Sequence, residues 1–292
     1  MVFDTGWQRI DGIVIGVVAR VEYLGRDNAV EPQLAGRVAQ TWWDNNAAEY
    51  LTEHGQFLGN ADGLPIGAQF RWGPEGVTEA ELGLLGAVHG RQILEIGAGA
   101  AQCSRWLATQ GASTVATDIS AEMLAAAAKL NTATGIEVEL WRCDARSLPF
   151  PDAEFDITFT SFGAIQFIPD PITAFREIHR VLVPGGKWVF SVTHPFRWAF
   201  PDDPTLQGLT AIRSYFDRSP YAEFNDDGKP EYLEYHRTIG DYVRDIVKAN
   251  FTLLDLVELE WPEDNDQVWG GWGPQRGAYL PGTAIFVCEK PL

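Results

Sequence analysis

The sequence predicts an α/β protein, with a mostly parallel sheet carrying helices on both faces. Three observations lead there. Short apolar runs alternate with longer amphipathic segments between Ile93 and Val192. Helix starts and stops separate them: Ser120, Asp170-Pro171 and Pro184-Gly185-Gly186. Each apolar run is followed by a turn bearing glycine or a polar residue, which in a parallel sheet falls on one edge.

Taken in order, residues 1–40 read as an N-terminal extension, with Ile13–Tyr23 as a candidate strand. Residues 41–292 read as the main domain, and 195–235 as an insert that caps it. Thr41–Leu58 has Trp43, Ala47, Tyr50, Leu51 and His54 at helical spacing. A Gly- and Pro-rich loop follows, then a helix over about Thr78–Val88. Strands are expected at Ile93–Ile96, Thr114–Thr117, Glu137–Trp141, Phe155–Phe159 and Lys187–Val192. The helices between them are Gln102–Gln110, Ala121–Asn131 capped by Ser120, and one opening on Asp170-Pro171. Pro195–Glu234 is polar, aromatic and without clear periodicity, the mark of a binding insert or lid. Helix Ile239–Asn250, capped by Thr238, and strands Phe251–Glu260 and Thr283–Glu289 close the chain.

Composition narrows the possibilities. A net charge of -18 with no basic stripe argues against a nucleic-acid partner. Cys103, Cys143 and Cys288 are far apart and odd in number, with no zinc-like spacing, so no metal is expected and a reducing cytoplasm fits best. Ile13–Ala19 is too short to span a bilayer and lacks a basic flank, so neither membrane nor signal peptide is expected.

The chemistry concentrates at the strand ends. The stretch Gln92–Asp118 is a strand, a glycine turn, an amphipathic helix and a second strand ending in an acid, an order that builds a ribose pocket. Glu95 precedes the turn, and Gly97, Ala98 and Gly99 form it, letting a ligand approach the backbone. Gln102 stands where a dinucleotide site has its third glycine, which disfavours a pyrophosphate. Asp118 is placed to accept from both ribose hydroxyls, with Ile119 and Met123 against an adenine face. Asp144 suits the adenine amine, and the Ala145 backbone suits the ring. Ser161, Phe162 and Gln166 follow the fourth strand, where the ligand's reactive end would meet a substrate.

LEIGAGA, VATD, CDARSLPF, FDITFTSF and LVPGGKWVF closely resemble, in that order, the signature motifs of class I S-adenosylmethionine-dependent methyltransferases, in the small-molecule, type 11/25-like branch. The resemblance covers about Thr78–Val192 and implies a Rossmann-like seven-stranded sheet whose last strand runs antiparallel. It implies S-adenosylmethionine as cofactor, with Gly97 and Gly99 at its methionine portion, Asp118 at the ribose and Asp144 at the adenine. Ala101 departs from the family pattern, where a third glycine is common. Tyr50 resembles the tyrosine that lies over the cofactor, and Arg71 is placed to pair with its carboxylate. No Asn/Asp-Pro-Pro-aromatic, Pro-Cys or paired-glutamate motif marks the nucleic-acid or protein-arginine branches.

A sulfonium methyl is already activated, so alignment and water exclusion carry most of the catalysis. His194 and His236 are the candidate bases. Tyr232, Tyr235, Trp198, Phe200, Trp269 and Trp272 are candidates for an acceptor pocket, and Arg197, Arg213 and Arg218 hint at an aromatic or carboxylate-bearing metabolite. The expected activity is methyl transfer to a small molecule, on oxygen or nitrogen. The alternatives are a non-catalytic S-adenosylmethionine sensor making a protein contact through an exposed Trp272, and a nicotinamide-dependent oxidoreductase. Neither the acceptor nor the oligomeric state is legible.

Overall fold

A computed structural model describes residues 20–23, 32–58 and 69–292. Most of the proposed N-terminal strand and part of the Gly- and Pro-rich loop lie outside the described residues. Strand β1 (Arg20–Tyr23) precedes α1 (Pro32–Leu58), a 27-residue helix that starts well before the predicted Thr41. The helix expected over Thr78–Val88 is one turn only, α2 (Glu79–Leu82). Thr78 and Glu81 form its capping box, and Gly83, at φ 61°, ends it in the left-handed region.

From there strands and helices alternate as expected: β2 (Gln92–Ile96), α3 (Gln102–Thr109), β3 (Ser113–Asp118), α4 (Ala121–Thr134), β4 (Glu139–Arg142) and β5 (Phe155–Thr160). Ser120 caps α4 by accepting from Met123 N–H. Helix α5 (Pro171–Val181) has Asp170 at its N-cap position and Pro171 at N1. The Asp170 carboxylate accepts from Thr173 Oγ1 rather than from a backbone N–H. Strand β6 (Leu182–Thr193) runs on directly through Pro184-Gly185-Gly186.

The stretch 195–235 is more structured than its sequence suggests. It holds two short 3₁₀ turns and a hairpin, β7 (Tyr221–Phe224) and β8 (Pro230–Glu234). Strand β7 also pairs with β1, giving a three-stranded antiparallel sheet. Helix α6 (Ile239–Lys248), with a Thr238–Asp241 capping box, β9 (Thr252–Glu258), the one-turn α7 (Pro274–Gly277) and β10 (Thr283–Glu289) complete the chain.

The main sheet has seven strands in the order β4-β3-β2-β5-β6-β10-β9. Strand β10 is antiparallel to both neighbours and the other pairs are parallel. Period-two alternation builds a core on each face. Leu94, Ile96, Trp188, Phe190 and Phe286 pack with Phe175 of α5 and Ile246 of α6. Ile93, Ile157, Phe159, Val189 and Ile285 pack with Phe70, Trp72 and Leu107 of α3. The parallel strands all end on one edge, and the loops there form the site. No helix among the described residues is long and apolar enough to cross a membrane.

Candidate active site

The turn after β2 is shaped by its backbone. Gly97 and Gly99 have φ of 69° and 53°, and Ala101, at 58°, takes the same left-handed region with a side chain. Ala98 N–H donates to Thr117 O at 2.9 Å and Gly99 N–H to Asp118 Oδ2 at 2.8 Å, so the turn is tied to the end of β3. Beneath it, buried Glu95 accepts from Ser104 N–H at 3.0 Å and Ser104 Oγ at 2.5 Å. Burial pushes this carboxyl up to about 7, against the Ser104 donors and the Arg105 charge.

Asp118 is buried. Its Oδ1 accepts from Ser120 N–H at 2.9 Å. Burial raises its pKa, and the backbone donors oppose the shift. At the end of β4, Asp144 is gripped by Arg146, whose Nε lies 2.9 and 3.1 Å from the two carboxylate oxygens. Burial would raise the Asp144 pKa, but the Arg146 bonds outweigh it and hold the carboxyl below its ordinary value. After β5, Ser161 Oγ donates to Arg71 O at 2.6 Å, and Phe162 N–H donates to Ser191 Oγ at 2.7 Å.

These loops enclose one pocket, roofed by α1. It brings together Tyr50, Glu95, Gly97, Ala98, Gly99, Gln102, Asp118, Ile119, Met123, Asp144, Ala145, Ser161 and Phe162. It also recruits residues that sequence reasoning passed over: Gly36, Ala39, Trp43, Arg146 and Phe167. Trp43 lies seven residues before Tyr50, a spacing that puts both on one helix face and was the available signal. Their rings meet edge-on at 5.3 Å, and Trp43 meets Phe167 at 5.7 Å.

Other sequence candidates lie off the pocket wall. Arg71 meets Ser161 through its backbone carbonyl, while its Nε donates to Gln69 Oε1. Gln166 is buried, its backbone carbonyl accepting from Tyr235 N–H. His194 is fully buried, with Nδ1 accepting from Phe196 N–H and Nε2 bonded to Glu258 at 2.8 Å. His236 Nε2 bonds Tyr215 O at 2.7 Å. Burial lowers the pKa of both histidines. Tyr232 packs on Phe167 at 5.8 Å and Trp269 on Tyr50 at 6.1 Å, so both stand behind aromatic residues that line the pocket. Trp272, expected to be exposed, is buried under the guanidinium of Arg276 at 4.1 Å. Arg213 pairs with Asp217 and Arg218 with Asp241. No group of three or more His, Cys, Asp or Glu side chains with metal-binding geometry occurs among the described residues.

Residues 94–190 match the family model of the methyltransferase domain. A solved S-adenosylmethionine-dependent methyltransferase from Mesorhizobium loti is 26% identical, with a TM-score of 0.58 over 74% of this chain and 100% of its own. Residues 94–190 thus form a methyltransferase domain, in the class I S-adenosylmethionine-dependent fold. A Listeria monocytogenes structure, 20% identical with a TM-score of 0.60, shares the fold. Among curated relatives, the demethylmenaquinone methyltransferases of Thermus thermophilus and Renibacterium salmoninarum are 34% and 31% identical, over 53% and 55% of this chain. The matches span 66% and 65% of those relatives' own length, just under two thirds.

Proposed function

We propose that the chain transfers a methyl group from S-adenosylmethionine to a small-molecule acceptor. The observation that carries this reading is the charge of the pocket. Glu95, Asp118 and Asp144 line it, and Arg146, the cation among its lining residues, is paired with Asp144. Such a lining suits hydroxyl and ammonium donors and repels phosphates, which disfavours a nicotinamide dinucleotide. The glycine turn fits as well, because a Cβ added at Gly99 would meet nothing within 4 Å.

When bound, S-adenosylmethionine supplies a methyl on a sulfonium, already activated toward a nucleophile. Asp118, oriented by two backbone donors, offers its remaining lone pairs to the ribose hydroxyls. The turn and Glu95 seat the amino-acid tail. Trp43, Tyr50 and Phe167 exclude water from the reactive end. His194 and His236 are held by partners elsewhere in the fold, so this reading leans on alignment rather than on either imidazole. The names of the curated relatives support a small-molecule acceptor, and the aromatic wall favours one with a flat face.

Isothermal titration with S-adenosylhomocysteine tests the reading. Binding is expected, weakened about tenfold or more by Asp118→Ala, the loss of a charge-assisted hydrogen bond. Labelled-methyl transfer to a panel of phenols, quinones and amines should then give turnover. Tight NADH binding without S-adenosylhomocysteine binding would overturn the reading. Cofactor binding with no turnover on any acceptor would favour a sensor.

A further inference from the structure

The two ends of the pocket fix their carboxylates differently. Asp118 is held by backbone N–H groups, whereas Asp144 is held mainly by a side chain. Besides the Nε contacts, Arg146 Nη2 lies 2.5 Å from Asp144 Oδ2, and the Arg146 backbone N–H donates to Oδ1 at 2.9 Å. Above this pair passes α1 at Gly36. A Cβ there would stand 2.6 Å from Arg146 Nη2 and 3.5 Å from Asp144 Oδ2. Glycine inside a helix costs about 0.5–1 kcal/mol relative to alanine. The guanidinium that occupies the space of the missing side chain supplies a reason for it.

We propose that Gly36, Arg146 and Asp144 act as one unit that sets selectivity for the base of the bound nucleoside. The inference rests on the reading of the pocket as an S-adenosyl site. The helix leaves a slot, the guanidinium fills it, and its planar fork fixes the carboxylate that meets the exocyclic amine. Arg146 is thus a positioning residue. A carboxylate fixed before binding loses less rotamer freedom when the ligand arrives. An ionised carboxylate is also acceptor-only, so it welcomes an amine and repels a carbonyl at the same place.

The test compares S-adenosylhomocysteine with S-inosylhomocysteine, in which a carbonyl oxygen replaces that amine, by titration calorimetry. The unmodified chain should prefer the adenosyl compound by about tenfold or more. Asp144→Asn should remove most of that preference. Arg146→Gln and Gly36→Ala should each reduce it several-fold, and Arg146→Lys should not restore it, because an ammonium has no fork. Gly36→Ala is the sharper variant. It adds a good helix former, displaces only the end of a flexible side chain, and leaves every pocket charge in place. Melting temperatures of the unliganded variants report folding separately. An unchanged preference in both Arg146→Gln and Gly36→Ala overturns the proposal. Failure of the unmodified chain to bind either compound overturns the S-adenosyl reading instead.

Discussion

Phe162 sits at φ 54°, where a residue with a Cβ pays about 1–2 kcal/mol that glycine does not. Such strain persists where the surroundings over-determine it, and here Ser191 Oγ holds the Phe162 N–H at 2.7 Å. Phe162→Gly is therefore expected to raise unfolding free energy in urea by about 1 kcal/mol while weakening S-adenosylhomocysteine binding. A less stable variant with unchanged affinity would contradict this. Gly163 next to it is required for another reason. Its backbone is extended, but a Cβ would stand 2.8 Å from Gly97 O, where the β2 and β5 loops cross. Gly163→Ala should cost about 1–3 kcal/mol, read as a lower urea midpoint.

At the scale of elements, α1 roofs the pocket and is anchored at the N-terminus of α4. Asp44 accepts from Ser120 Oγ at 2.7 Å and from Glu122 N–H at 3.3 Å. Burial tends to raise its pKa, but these bonds prevail and lower it. Asp44→Ala should lower stability by about 1 kcal/mol in denaturant titrations. It should also speed S-adenosylhomocysteine release in stopped-flow measurements, because the roof loses an anchor. An unchanged release rate would mean that α1 does not gate the pocket. None of this was legible in the sequence, since Asp44 and Ser120 are 76 residues apart and nothing local links them. The alternating elements and the strand-end residues were legible, because turn chemistry and hydrophobic period are local signals. Arg146 was missed for the opposite reason: two residues after an acid, it reads as an ordinary surface cation. The antiparallel sheet escaped as well, because β1 lies far along the chain from the short β7–β8 hairpin that it joins.

Over the whole molecule, charge and burial set how stability depends on pH. The net charge is -18, and burial raises several glutamates, lifting Glu75 to about 6 and Glu95 to about 7. The folded protein holds protons that the unfolded chain releases. Their contribution is therefore complete below the unfolded value near 4.5 and is lost as pH rises through about 6 and about 7. Asp217 and Asp241 act oppositely. Burial would raise both, but their hydrogen bonds and Arg213 or Arg218 bring them to about 2, so their contribution vanishes only in strong acid. Stability measured by urea unfolding should thus fall from about pH 5 to about pH 8, with Glu95→Gln flattening the decline. A decline of the same size in that variant would remove Glu95 as a source.

The reversal of β10 reaches beyond hydrogen bonding. Thr283 pairs with Thr193 and Ala284 with Glu258, so the chain re-enters the sheet at the rim from which β6 and β9 leave it. Two long stretches, 194–237 and 259–282, consequently start and finish on a single side, and neither is threaded through the floor formed by β2 to β5. Evolution can rewrite such a rim by insertion or exchange while the floor is inherited intact. One donor site could in this way have been handed down beneath a succession of different acceptors.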